Sequence, residues 1–237
     1  MRTTMDMHFD QHISRQFNED LESIKTEMLE MGGMVARQVA DAVDSLANAD
    51  SELAEKVLRI EEEIDKREMA LDEHATLIIA KRQPAASDLR MVMSVIRIAR
   101  DLERVGDEAS KIAKMAIALT DEGSAPRGYT EIRHIASAVR RMLNDSLDAY
   151  TRFDVKSAMD TLAEDEQVDM DYRTAVRELI TYMMEDPRSI SRVINVLWTL
   201  RSLERIGDHA KNICEQVVYL VEGADIRHGH EDKLKKA

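Results

Sequence analysis

A single cysteine, Cys214, occurs in 237 residues, which excludes an internal disulfide framework and suits a reducing compartment. Aromatic residues make up only 4% of the chain, and eight glycines and three prolines are few for its length. So few breakers and rings, in a sequence rich in Ala, Leu, Glu, Arg and Met, predict an all-α fold. Nothing approaches 18 uninterrupted apolar residues; even the stretch 193–200 contains Asn195 and Thr199. No basic stretch leads into an apolar run near the N-terminus, so neither a secretory signal nor a membrane span is expected. A phosphate-cradling glycine loop, a nucleophile elbow and a zinc-protease histidine pair are all missing, and the chain is not expected to be an enzyme. These absences predict a soluble, cytoplasmic protein.

Acidic charge is plentiful. The net charge is −13 and the pI is near 5.0, which disfavours nucleic acid and favours cationic partners, metal ions included. Fifteen methionines suit long helical seams, where a flexible thioether fills irregular gaps.

The prolines Pro84, Pro126 and Pro187 fall between periodic stretches and mark joints. Asp50, Ser87, Asp154 and Asp186 are candidate helix N-caps. Residues 123–128, Gly-Ser-Ala-Pro-Arg-Gly, form the one turn-rich linker, and they divide the chain into two units, 1–123 and 124–237. Six helices are predicted, over about 11–48, 51–82, 87–121, 128–152, 155–184 and 187–222. Gly32-Gly33 is expected to kink or loosen the first of them. In the third, Met91, Val95, Ile98, Leu102, Val105, Ala109, Ile112, Ala116 and Leu119 alternate steps of four and three, as in a coiled-coil-like seam. A shift of 101 residues carries that seam onto Val196, Thr199, Leu203, Ile206, Ala210, Ile213, Val217 and Leu220. Beside it runs a strip of small residues, Ala99, Gly106 and Ala113.

The same shift superposes Arg100-Asp-Leu-Glu-Arg-Val-Gly-Asp107 on Arg201-Ser-Leu-Glu-Arg-Ile-Gly-Asp208. In each copy a glutamate and an aspartate stand four apart, Glu103 with Asp107 and Glu204 with Asp208. On a helix that spacing stacks two carboxylates on one face, where they repel by about a few tenths of a kcal/mol. The preceding helix of each half repeats the spacing, as Glu61 with Asp65 and Asp165 with Asp169. Counting from each turn, Asp65 and Glu103 both lie about 19 residues away, and Asp169 and Glu204 about 17 or 18. Antiparallel neighbours would therefore bring four carboxylates level in each half, directed away from the core. Two readings stay open from spacing alone. The carboxylates are solvated faces neutralised by Arg100 and Arg104, or they are hard-oxygen sites for Mg²⁺, Mn²⁺ or iron.

Other residues carry blander expectations. Cys214 reads as a packing residue, His74 as a satisfied or edge histidine, and Trp198 as packed between helices. His228 and His230 fall in a short tail.

The duplicated Leu-Glu-Arg-[Val/Ile]-Gly-Asp resembles the PhoU family of phosphate-specific transport system accessory proteins. So do residues 12–17 (His-Ile-Ser-Arg-Gln-Phe), 31–34 (Met-Gly-Gly-Met), 78–84 (Ile-Ile-Ala-Lys-Arg-Gln-Pro), 87–90 (Ser-Asp-Leu-Arg), 181–186 (Thr-Tyr-Met-Met-Glu-Asp) and 226–228 (Ile-Arg-His). Taken in order they span essentially the whole chain. The resemblance implies two pseudo-symmetric three-helix bundles. It implies a negative regulator of phosphate uptake and of phosphate-starvation (Pho regulon) genes. Such a regulator links the ATPase subunit of the phosphate ABC transporter to the PAS domain of a sensor histidine kinase, and meets the membrane through those partners alone. It further implies a homodimer, and multinuclear metal clusters (Mg, Mn, Fe or Zn) on the four acidic pairs, all intact here. A ferritin-like di-metal carboxylate protein is the alternative. It requires two Glu-x-x-His motifs, and only Glu131 with His134 occurs.

Overall fold

The computed structural model describes residues 15–227 apart from 124 and 126. The expected helix start at 11, Pro126, and His228 and His230 lie outside the described residues. Among the described residues there are six helices and no strand: α1 (Arg15–Asn48), α2 (Ser51–Arg82), α3 (Ala86–Glu122), α4 (Tyr129–Arg152), α5 (Val155–Glu185) and α6 (Ile190–Glu222).

Local chemistry sets most ends. Asp50 accepts from the Leu53 N–H at 2.9 Å, and Asp154 from the Ser157 N–H at 3.0 Å, so each satisfies an orphan donor of a helix start. Gly223, at φ +68°, ends α6 with its N–H on the Tyr219 carbonyl. Two expectations are corrected. Ser87 lies inside α3, whose N-cap Ala85 makes no side-chain bond. Residues Pro187–Ser189 form a 3₁₀ turn ahead of α6, held by Asp186 accepting from the Arg188 N–H at 3.3 Å. Gly32 does not interrupt α1, which runs unbroken. A Cβ there would stand 3.0 Å from the Leu147 methyls, so the glycine serves a close approach of α1 to α4.

Each half is a three-helix bundle whose central rod carries the duplicated motif. α3 packs on α1 and α2, α6 packs on α4 and α5, and the two rods pack on each other. Every seam residue named above in α3 and α6 is buried. Each large seam side chain contributes about 1.5–3 kcal/mol through burial.

The rods run antiparallel. Arg97 reaches Gln216 at 3.2 Å, Asp101 meets His209 at 2.8 Å and Asn212 at 3.0 Å, and Arg205 donates to Glu108 at 3.0 Å. Positions 101 and 108 are the pseudo-equivalents of 202 and 209, and Ser202 lies near enough to Glu108 to help hold its carboxyl below the ordinary value. The same pair of positions thus faces across the join twice, with different residues. Trp198 is the clear miss. It is 60% exposed on α6 instead of packed between helices.

Candidate metal centre

The level-matched carboxylates of each half stand within electrostatic reach of one another. Glu61 feels the charges of Asp65 and Asp107, and Glu103 those of Asp107, Asp65 and Glu68. In the other half Glu204 feels Asp208 and Asp169, and Asp208 feels Asp165 and Asp169. Burial pushes the Glu61, Glu103, Glu204 and Asp208 carboxyls above their ordinary values, and repulsion from these neighbours adds to it. The expected outward direction holds in the first half, where Asp65 and Asp107 are exposed and Glu61 and Glu103 half-buried. In the second half it is corrected for Asp165, which is buried.

The two sites differ in how they hold their inner carboxylate. Glu61 Oε2 accepts from Gln38 Nε2 at 2.7 Å and from Ser110 Oγ at 2.7 Å, both neutral donors. Asp165 Oδ2 accepts from the Lys211 ammonium at 2.8 Å. Ser110 and Lys211 are themselves pseudo-equivalent, 101 residues apart. A short donor faces the longer acid in one half, and a long donor faces the shorter acid in the other. In the second half Arg201 also pairs with Glu204, and Arg173 with Asp169 at 3.1 Å. Among the described residues, Arg100 and Arg104 make no direct ion pair with Glu103 or Asp107, and Arg104 acts on Glu103 only at a distance.

Gly106 makes room for this arrangement. A Cβ there would stand 3.1 Å from Gln38 Oε1 and 3.3 Å from Glu61 Oε2. Gly207 is not under the same demand, since its nearest neighbours would lie at 3.7 Å.

The donor set fits a hard cation: eight carboxylates, no thiolate, and in each quartet one buried oxygen without a hydrogen-bond partner, Glu61 Oε1 and Glu204 Oε2. As they stand, no three His, Cys, Asp or Glu side chains among the described residues are drawn close enough to hold an ion. Binding therefore requires side-chain rotation. Asp65 and Asp107 are free to rotate at the surface, whereas Asp165, Asp169 and Glu204 would first have to leave their cations. Glu103 and Asp107 of one quartet and Asp208 of the other line one groove of about 940 Å³ between α3 and α6.

The residues missed from sequence were Gln38, Ser110 and Lys211. Gln38 left a trace, as a polar side chain at a seam position between Val35 and Ala42. His74 is half-buried at 3.3 Å from Glu27, and Cys214 is buried, both as expected. Glu131 and His134 build no di-metal centre: His134 is exposed and faces Asp171 at 3.0 Å.

The PhoU domain matches this chain twice, over residues 28–116 and 132–217. The phosphate-specific transport system accessory protein PhoU homolog of Pseudomonas aeruginosa is 56% identical over 225 residues, 95% of this chain and 93% of that one. The accessory protein PhoU of Escherichia coli K12 is 44% identical over 230 residues, 97% and 95% of the two chains. The crystal structure of PhoU from Pseudomonas aeruginosa superposes with a TM-score of 0.87 at 55% identity, over 88% of this chain and all of that one. The phosphate transport system regulatory protein PhoU from Streptococcus pneumoniae gives 0.82 at 30% identity, over 89% and 99%.

Proposed function

Because the chain belongs to the PhoU family, we propose that it is a non-catalytic regulatory accessory of phosphate transport. It restrains phosphate uptake and phosphate-starvation gene expression when phosphate is plentiful. It does so as an adaptor between the transporter's ATPase subunit and the PAS domain of the sensor histidine kinase, working in the cytoplasm and as a homodimer. The observation that carries this reading is likeness along nearly the whole chain to accessory and regulatory proteins of phosphate transport. Long helical faces suit such a role, since they offer broad contact without a substrate pocket. No helix among the described residues is long and apolar enough to cross a membrane, consistent with docking through partners.

Glu61, Asp65, Glu103 and Asp107 hold one cation cluster in this proposal, and Asp165, Asp169, Glu204 and Asp208 the other. A bound cation would supply positive charge that relieves the carboxylate repulsion and ties neighbouring helices together. The chain's own part is to keep one carboxylate of each quartet fixed, through Gln38 and Ser110 or through Lys211, while the exposed aspartates adjust.

Deletion of the gene in phosphate-replete cells, read with a starvation-gene reporter, tests the regulatory role. Raised reporter output is expected, and output equal to wild type overturns the proposal. A pulldown of the ATPase subunit with and without divalent metal tests the adaptor role. The ferritin-like alternative predicts oxygen consumption with turnover after anaerobic iron loading.

A further inference from the structure

Three arginines stand on one stripe of α3 at steps of three and four: Arg97, Arg100 and Arg104. All three line a cleft of about 340 Å³ where α3 meets α6. Among the described residues none of them is ion-paired. Arg97 donates to the neutral amide of Gln216 at 3.2 Å and acts on Asp225 only at a distance. Arg100 acts on Glu68, and Arg104 on Glu103, likewise from a distance. Asp101 lies between them in sequence but turns across the join, where its Oδ1 accepts from Asn212 and meets His209. Arg227, also at the cleft, is taken up by Asp225.

The duplication supplies a comparison. The pseudo-equivalents of Arg97, Arg100 and Arg104 are Trp198, Arg201 and Arg205. Arg201 pairs with Glu204, and Arg205 with Glu108. The second half therefore neutralises both of its arginines with its neighbours, whereas the first leaves the same two open and adds a third. Like charges at that helical spacing repel, and a bound anion would relieve the repulsion.

The cleft also holds an acid whose acceptors are open. Glu215 is half-buried and, among the described residues, makes neither a hydrogen bond nor an ion pair. Burial raises its carboxyl, and Lys211 and Arg227 oppose this from a distance. Guanidinium groups hold tetrahedral oxyanions through paired N–H donors, and a carboxylate among them accepts from an oxyanion that still carries a proton. Inorganic phosphate keeps a proton at neutral pH, and sulfate keeps none. We propose that this cleft binds inorganic phosphate as the hydrogen phosphate ion, with Arg97, Arg100 and Arg104 on its charged oxygens and Glu215 accepting from its P–O–H group. Sulfate is the poorer occupant, because it sets a bare oxygen against the carboxylate. Longer polyanions are poorer too, because Glu103 and Asp107 line the adjoining groove, which shares Arg104. The site needs no metal, and it does not rest on the regulatory reading.

Isothermal titration calorimetry of the full chain, stripped of metal on a chelating resin and kept in HEPES, tests this with inorganic phosphate as titrant. Saturable binding is expected, with sulfate weaker by about tenfold or more. Arg100→Gln and Arg104→Gln alter exposed side chains that make no ion pair, so their melting curves should match the unaltered chain. Each should weaken phosphate binding by about tenfold or more. Arg177→Gln, exposed on α5, controls for net charge and should leave binding unchanged. Glu215→Gln should close most of the gap between phosphate and sulfate. Absence of saturable phosphate binding overturns the proposal, as does binding that both α3 arginine changes leave intact. Equal affinity of the unaltered chain for sulfate, or tighter binding of glycerol 3-phosphate than of phosphate, overturns the assignment to the free ion. Phosphate binding that appears only after Mn²⁺ loading places the ion on metal and overturns it as well. The gene deletion reads the regulatory role separately: raised reporter output without phosphate binding removes only this cleft, and unchanged output with phosphate binding removes only the regulation.

Discussion

Lys211 Nζ stands 2.8 Å from Asp165 Oδ2, at the place where Ser110 meets Glu61 in the other half. One quartet thus has cations bonded directly to its acids, whereas in the other Arg104 acts on Glu103 only at a distance. The duplication kept the positions of the acids and changed how they are neutralised.

Cation binding is therefore expected to be unequal. Asp107→Asn should abolish most divalent-metal uptake, and Asp208→Asn should remove the smaller, weaker part. Lys211→Met should strengthen the second site, because Asp165 then lacks its ammonium partner. Elemental analysis of each variant after dialysis against Mn²⁺ measures this, and equal losses from the two aspartate variants would contradict the asymmetry.

Stability should depend on pH in opposite senses at two glutamates of α3. Burial acts to raise the Glu108 carboxyl, but hydrogen bonds from Lys111, Ser202 and Arg205 outweigh it and hold it below the ordinary value. Its stabilising effect is present above the unfolded value, about 4.3, and is lost as pH falls through the folded one. Glu103 is raised by burial and by Asp107, so its effect is full below about 4.3 and lost as pH rises through its folded value. Thermal melts in chelator should show Glu108→Gln destabilised at pH 7 by about 1–3 kcal/mol, with the difference closing in acid. Glu103→Gln should gain about 1 °C at pH 7, also closing in acid.

The two motif glycines should respond differently to alanine. Gln38 is buried and bonded to Val57, Glu61 and Ser110, so it cannot yield to a Cβ on Gly106. Gly106→Ala should lower the melting temperature and the metal uptake of the first quartet. Gly207→Ala, with ordinary contacts only, should be neutral or gain up to about 1 kcal/mol from helix propensity.

Cys214 should resist alkylation. Burial first, and then the nearby Glu215 and Asp145 charges, push its thiol up to about 12. Reaction with iodoacetamide at pH 8 should be slow in the folded chain and fast in denaturant. Rapid labelling under native conditions would show that α6 opens.

Several features were readable before any coordinates. The alternating seam from Met91 to Leu119 required a helix, because only that period gathers those side chains on one side. Asp50 and Asp154 could be placed as caps because a short acid ahead of a periodic run has one common use. Ser87 failed the same test, since Pro84 and the path of the loop put the helix start a residue before it. Trp198 was misplaced because a large ring is usually buried, and phase along α6 shows only which way a side chain points, not whether a neighbour is there.

From the sequence alone came the six rods, their duplication and the matching heights of the acids, all of which follow from a constant rise per residue and the spacing of apolar positions. Tertiary structure alone decided which donors reach those acids, how α3 and α6 close on each other, and which face of α5 and α6 is left uncovered. Such contacts join residues from about 20 to more than 100 positions apart, and local periodicity carries no record of the distance across a helix pair.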